Sequence, residues 1–136
     1  MREIKFRGKR IDNGEWVYGG FTLDAVDSPR ITTVDQSGHG LIFHEVIPAS
    51  VGQYTGFKDK NGQEIYEGDI LESEVSTGYR GNVTLIKMVS WDVKSGSFVV
   101  NWASRSRQKL TLNILHSKQV VGNIHENPEL LEVSDD

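Results

Sequence analysis

Hydrophobic and polar residues alternate along much of this chain with a period of two. Ile4 and Phe6 alternate with Lys5 and Arg7 near the start. The same alternation recurs in three later segments, Trp16–Tyr18, Phe98–Trp102 and Leu110–Ile114. A period of two over short runs predicts half-buried strands. No stretch keeps apolar residues at helical spacing for three turns, so the pattern predicts an all-β (mainly β) protein.

Glycine-containing turns separate these alternating runs. The turn candidates are Asp12-Asn13-Gly14, Asp59-Lys60-Asn61-Gly62 and Lys94-Ser95-Gly96. Glycine adopts positive φ at little cost, and Asn-Gly and Asp-x-x-Gly are typical of hairpin turns. We therefore expect Gly14 and Gly62 at positive φ. The second turn would join a strand near Tyr54–Phe57 to one near Glu64–Tyr66.

The second half of the chain predicts a small barrel. Its expected strands are Val83–Trp91, Ser97–Trp102, Lys109–His116 and Val120–Ile124. Short antiparallel strands with glycine corners are typical of such barrels, and Trp91 and Phe98 are expected to pack together in the core. Asn127, Pro128 and Glu129 suit an N-cap, a first helical position and a helix N-terminus, which predicts one short C-terminal helical turn.

The expected organisation is an N-terminal antiparallel β section, residues 1–56, followed by a C-terminal barrel, residues 57–136. The segment QYTGFKDKNGQEIYEGDIL, residues 53–71, joins them and is interpreted as scaffold, because its glycines have turn roles and its apolar residues alternate. The two parts are also compatible with one compact unit.

Composition narrows the class of protein. The chain has 136 residues, of which 37% are hydrophobic and 25% charged, typical of a globular protein. The absence of cysteine excludes disulfides, thiolate metal sites and cysteine nucleophiles. The N-terminus lacks the apolar run of a secretory signal, and no window approaches the roughly 20 apolar residues of a membrane span. We therefore expect a cytoplasmic protein that does not bind membranes.

The net charge of -4 is unevenly distributed. Basic residues cluster near the start and again in the segment SRSRQK, and aromatic residues lie close to both clusters in sequence. The candidate nucleic-acid or partner surface therefore comprises Arg2, Lys5, Arg7, Lys9, Arg10, Arg105, Arg107 and Lys109. Basic grooves with stacking platforms bind single strands, but the pI of about 5.5 is low for a dedicated nucleic-acid binder.

No catalytic or metal-binding motif emerges from the sequence. The dense carboxylates Glu64, Glu67, Asp69, Glu72 and Glu74 fit no EF-hand spacing, and strand alternation separates them. The four histidines lack paired-ligand spacing, and no G-x-S-x-G elbow or P-loop occurs. We therefore expect no enzymatic activity, no catalytic or metal residues and no cofactor.

Three blocks of the sequence resemble the YopX family of phage and prophage proteins: MREIKFRGKR, QYTGFKDKNGQEIYEGDIL and VVGNIHENPELL, in that order. They cover about a third of the chain, but their spacing extends over nearly all of it. The resemblance implies a mostly β protein whose C-terminal part is an SH3-like barrel. It also implies a phage or prophage origin and presence in the host cytoplasm, but no biochemical function.

The function expected on these grounds is that of a phage accessory protein that binds a host or phage protein, with a homo-oligomer as a further possibility. The segment Asp24–Gly40, interpreted as a loop, and the SRSRQK segment are its candidate surfaces. The alternative is a nucleic-acid-binding small barrel that uses the basic clusters at 2–10 and 105–109.

Overall fold

A computed structural model describes residues 2–76, 78–102, 106–109 and 118–131. The chain divides into two compact units, Met1–Tyr54 and Thr55–Asp136. Both are built from antiparallel strands, which confirms the mainly β prediction. Within the described part of the chain, no helix is long and apolar enough to cross a membrane.

The first unit is an antiparallel sheet whose first four strands form a meander. Its strands are β1 (Phe6–Lys9), β2 (Trp16–Leu23), β3 (Pro29–Val34), β4 (Leu41–Glu45) and the first residues of β5 (Gly52–Lys58). Their order in the sheet is β4-β3-β2-β1-β5. A 3-10 turn, Pro48–Ser50, precedes β5. The predicted Asp24–Gly40 loop is wrong, because the β-branched run Ile31–Val34 forms most of β3.

The core of the first unit lies on one face of this sheet. Ile31 and Val46 are fully buried there, and the rings of Phe6 and Phe21 lie 5.4 Å apart. Beside β1, the Ser50 Oγ accepts the Lys9 N–H at 2.8 Å, so a side chain rather than a strand backbone bonds this group. The alternation of Phe6 with basic residues does not separate a buried face of β1 from an exposed one, because Phe6 is half-buried and Arg7 is buried.

The second unit begins within β5 and contains six further strands. They are β6 (Glu64–Tyr66), β7 (Asp69–Ser76), β8 (Asn82–Asp92), β9 (Ser97–Trp102), β10 (Ser106–Lys109) and β11 (Lys118–Asn123). The last five form a sheet in the order β10-β9-β8-β7-β11. Among the described residues its two edges do not pair with each other, so the strands form an open sheet. Most of the predicted strand Lys109–His116 lies outside the described residues.

The core of the second unit follows the period-2 pattern. Ile65, Leu71, Val89 and Val100 are buried together. The register pairs Leu71 with Val120 and Val89 with Val100, which puts these side chains on one face of the sheet. Phe57, Phe98 and Val120 pack around this cluster.

Trp91 and Phe98 are register partners across the β8–β9 turn, and their rings meet edge to face at 4.9 Å. That contact was predicted, but the placement of Trp91 in the core was wrong. Trp91 remains 47% exposed, because it lies near the end of β8, beyond the buried cluster.

The turn predictions are confirmed. Gly14 has φ 73° and Gly62 has φ 83°. In the second turn, which joins β5 to β6, the buried Asp59 carboxylate accepts the N–H groups of Asn61 and Gln63 at 2.8 and 2.9 Å. Near the C-terminus, Pro128–Leu131 forms a 3-10 turn with Glu129 in its first turn, as predicted.

Candidate functional site

The most exposed apolar strand of the first unit is β4. Leu41 is 62% exposed, Ile42 42% and Phe43 50%, although all three side chains are large and apolar. His44 is half-buried, and its Nε2 lies 2.9 Å from Thr33 Oγ1 on β3. The strand is therefore well attached to β3 on one side, and on the other side it forms the end of the sheet.

The hydrogen-bonding direction of each β4 residue follows from the register. β3 and β4 pair Thr33 with Ile42 and Val34 with Leu41, and the Asp35 N–H donates to the Gly40 carbonyl at 2.9 Å. In an antiparallel pair, residues alternate between bonding the neighbouring strand and pointing away from it. The N–H and C=O groups of Leu41 and Phe43 therefore point away from β3, toward the open edge.

One end of this edge is already closed. The Ile11 N–H donates to the Glu45 carbonyl at 3.1 Å, and the Ile47 N–H donates to the Lys9 carbonyl at 2.8 Å. These bonds flank an isolated antiparallel bridge between Arg10 and Val46. The backbone of Ile11 thus occupies the position beside Glu45, and the open part of the edge is Leu41–Phe43. We call this segment the β4 edge.

An apolar surface adjoins the β4 edge. Leu41 and Phe43 share a sheet face with Val34, as shown by the pairing of Leu41 with Val34 and of Phe43 with Thr32. Tyr18 lies on the same face, two residues before Gly20, which pairs with Thr32. Val34 is 61% exposed and Tyr18 50%. Exposed apolar surface of this kind marks interaction sites.

A cleft of about 460 Å³ runs beside β4. Arg10, Asp12, Arg30, Glu45, Ile11, Ile42, Phe43 and His44 line it. The Arg10 guanidinium binds the Asp12 carboxylate through two bonds of 3.0 and 2.6 Å, and these bonds hold the pKa of Asp12 below its usual value. The Arg30 Nη2 lies 3.3 Å from Asp24 Oδ2 and 3.8 Å from Glu45 Oε1. The cleft therefore combines paired charges with apolar contact from Ile11, Ile42 and Phe43.

The structure brings part of the first basic cluster together. Lys5, Arg7 and Lys9 alternate with the core-facing residues of β1, so they share one face. The Arg7 guanidinium lies 4.9 Å from the Trp16 ring centre, and the Lys5 ammonium lies 5.1 Å from that of Tyr54. Arg7 is only 6% exposed, which limits its access to a ligand.

The remaining basic candidates lie elsewhere. Arg10 pairs with Asp12, and Arg2 is exposed ahead of β1. Arg107 and Lys109 belong to β10, opposite Asn101 and Val99 in the register. Arg105 lies outside the described residues. Whether the two clusters share one surface stays a prediction.

Three carboxylates of the central segment have structural roles. Asp69 is buried and accepts the Tyr66 N–H at 2.7 Å, and Glu64 accepts the Tyr66 hydroxyl at 3.2 Å. Glu72 accepts an N–H of the Gln119 side chain at 3.3 Å. In the part of the chain that the structure describes, no group of three or more histidine, aspartate or glutamate residues is arranged to hold a metal ion.

Sequence reasoning missed the β4 edge. The signal was present as two neighbouring runs, Ile31–Val34 and Leu41–Phe43, which are rich in residues that favour strands. Each run is too short to show a clear alternation with a period of two, and a turn that contains glycine and serine separates the two runs. The pattern did not reveal that the second run ends a sheet, because the order of strands depends on contacts distant in sequence.

Comparisons with known proteins give a matching family model and a similar solved structure. The family model described as YopX protein matches residues 5–132. A solved structure, "Crystal structure of protein EF1440 from Enterococcus faecalis", is similar with a TM-score of 0.60 and 27% sequence identity. The match covers 96% of this chain and 99% of that one. No curated protein matches.

Proposed function

The chain belongs to the YopX family, and from that premise we propose that it is a non-enzymatic phage or prophage accessory protein that binds a protein partner in the host cytoplasm. The observation that carries the proposal is the β4 edge, where backbone groups with no bond to any described residue adjoin exposed apolar side chains. Addition of an extended segment to such an edge is a common mode of protein recognition.

The geometry describes what a partner must provide. Backbone groups of a partner strand would bond Leu41 and Phe43, and its apolar side chains would cover the surface around Val34 and Tyr18. The paired charges of the neighbouring cleft require no net charge on the partner. Main-chain bonds would supply affinity, and alternate side-chain contacts would supply specificity.

The test is an affinity pull-down from a bacterial host lysate, with and without nuclease. The double variant Leu41→Lys/Phe43→Lys places two charges on the β4 edge and should lose the partners that the unaltered protein retains. The matched control is Val26→Lys, because Val26 is an apolar residue in a turn and is 79% exposed. Recovery of the same partners by the double variant, with its fold intact, would overturn the proposal.

Nucleic-acid binding is the second candidate function. Its support is the face of β1 on which Lys5 and Arg7 lie beside aromatic rings. The low exposure of Arg7 and the pI of about 5.5 weigh against it. The nuclease arm of the pull-down distinguishes the two functions, because partners bridged by nucleic acid disappear after digestion.

The resemblance to the family also supports an SH3-like arrangement of the second unit. The short antiparallel strands and the buried cluster around Leu71 and Val100 fit that proposal. An experimental structure that includes residues 110–117 tests it, because this segment connects β10 to β11 along the chain.

A further inference from the structure

We propose that β4 pairs with β4 of a second copy of this chain, antiparallel, about a two-fold axis at Ile42. The inference rests on the proposed function, because it assigns an occupant to the same β4 edge. Closed two-fold pairs are the commonest assemblies of soluble proteins, and they use the same surface on both copies. A surface that is self-complementary is therefore the feature to look for.

The open backbone groups of the β4 edge are self-complementary. In a pair centred on Ile42, Leu41 of one copy lies opposite Phe43 of the other. Both residues point away from β3, so they form a hydrogen-bonded pair in the new ladder. The N–H and C=O of Leu41 then meet the C=O and N–H of Phe43, in both copies. Each open group of Leu41 and Phe43 gains a partner.

Neighbouring registers fit less well. A pair centred on Phe43 would place Leu41 of the second copy opposite Glu45, where the Ile11 backbone already lies. A pair centred on Leu41 would place Phe43 opposite His39, which belongs to the turn between β3 and β4. In the Ile42-centred pair, the incoming strand reaches only Leu41 before its own chain turns away at Gly40.

Side chains support the same register. Leu41 and Phe43 would form cross-strand pairs on the face that carries Val34, which extends the exposed apolar surface across both copies. Ile42 would lie opposite its own counterpart on the other face. Apolar cross-strand pairs stabilise antiparallel ladders. Glu45 lies beyond the paired segment, near Arg30, so its carboxylate does not meet its counterpart across the axis.

The first experiment measures self-association by sedimentation velocity over a range of protein concentrations. The unaltered protein should show a concentration-dependent dimer. Phe43→Pro removes an N–H that points away from β3, so it should abolish the dimer while the β3–β4 ladder remains. Ile42→Lys places like charges at the axis and should also give monomers, whereas Val26→Lys should dimerise normally. Circular dichroism checks that every variant is folded.

The second experiment fixes the register by cross-linking. The chain contains no cysteine, so a single introduced thiol reports only contacts between copies. Ile42→Cys should form a disulfide-linked dimer under mild oxidation, because directly opposed residues in a non-hydrogen-bonded pair lie about 4.5 Å apart at Cα. Phe43→Cys is the matched control, since its counterpart lies roughly two residues along the ladder, beyond the limit of about 7 Å for a disulfide.

Two outcomes would overturn the inference: a monomer at all concentrations, or cross-linking of Phe43→Cys in preference to Ile42→Cys. These failures are distinguishable from failure of the proposed function. If the protein is monomeric but Leu41→Lys/Phe43→Lys loses its partner in the pull-down, the edge binds another protein only. If the dimer forms as described but the same variant retains every partner, the edge serves self-association and the proposed function is wrong.

Discussion

Asp59 is expected to anchor the β5–β6 turn to a strand distant in sequence. Its Oδ1 accepts the N–H groups of Asn61 and Gln63 within the turn, and its Oδ2 accepts the Val120 N–H of β11 at 2.9 Å. Asp59 is buried, with only 7% of the residue exposed. Asp59→Ala removes all three acceptor contacts and leaves the turn bound to β11 mainly through the Lys60 N–H and the Lys118 carbonyl.

The magnitude follows from the surroundings of each donor. A hydrogen bond to a charged group contributes about 1.5–3 kcal/mol. Asn61 and Gln63 are exposed residues whose N–H groups can bond water after the change. The loss of each of these two bonds therefore costs about 1.5 kcal/mol or less. The Val120 N–H is partly buried in the sheet, so it regains less hydrogen bonding to water than the two turn N–H groups do. We expect Asp59→Ala to lower the free energy of unfolding by about 3–4 kcal/mol.

Equilibrium urea unfolding measures this loss, and amide hydrogen exchange at Val120 localises it. The free energy of unfolding of Asp59→Asn should lie between those of the unaltered protein and Asp59→Ala, because the amide oxygen of Asn still accepts a hydrogen bond. Asp12→Ala is the control, because its carboxylate bonds Arg10 at an exposed site and should change stability little. A loss below about 1 kcal/mol for Asp59→Ala, or unchanged protection of the Val120 amide, would refute the reasoning.

Three further predictions concern stability. Gly62→Ala should cost about 1–2 kcal/mol in chemical unfolding through backbone strain alone, because φ is +83° and no described atom beyond its chain neighbours lies within 4 Å of the Cβ position; no measurable cost would contradict this. Trp91→Ala should cost less than the roughly 3–5 kcal/mol of a core aromatic, because Trp91 is 47% exposed, and thermal unfolding checks this. Burial, reinforced by Lys87, lowers the pKa of Lys118 below its ordinary 10.5. As pH rises through the interval between the lowered pKa and 10.5, the folded protein releases this proton before the unfolded chain does, so stability should rise there. Lys118→Met should flatten that rise in urea unfolding measured against pH, and an equal rise in both proteins would exclude Lys118 as its source.

The sequence by itself determined the local structure. The Asp59–Gly62 turn, the flanking strands and the positive φ of Gly14 and Gly62 follow from interactions within a few residues, which propensity and turn chemistry describe well. The strand content of the second half and the C-terminal turn at Pro128 were predictable for the same reason. The family resemblance rested on these same local blocks, and the family model confirms it.

Only the tertiary structure decided which surfaces are open. Leu41, Ile42 and Phe43 are large and apolar, yet they lie exposed at the end of a sheet, and Trp91 lies beyond the buried cluster. Lys118 is buried although its side chain is charged. A period of two separates the faces of a strand but does not say which face is covered or which strand ends the sheet. Those outcomes depend on pairings between residues distant in sequence, such as Arg10 with Val46 and Asp59 with Val120, and local propensity carries no information about them.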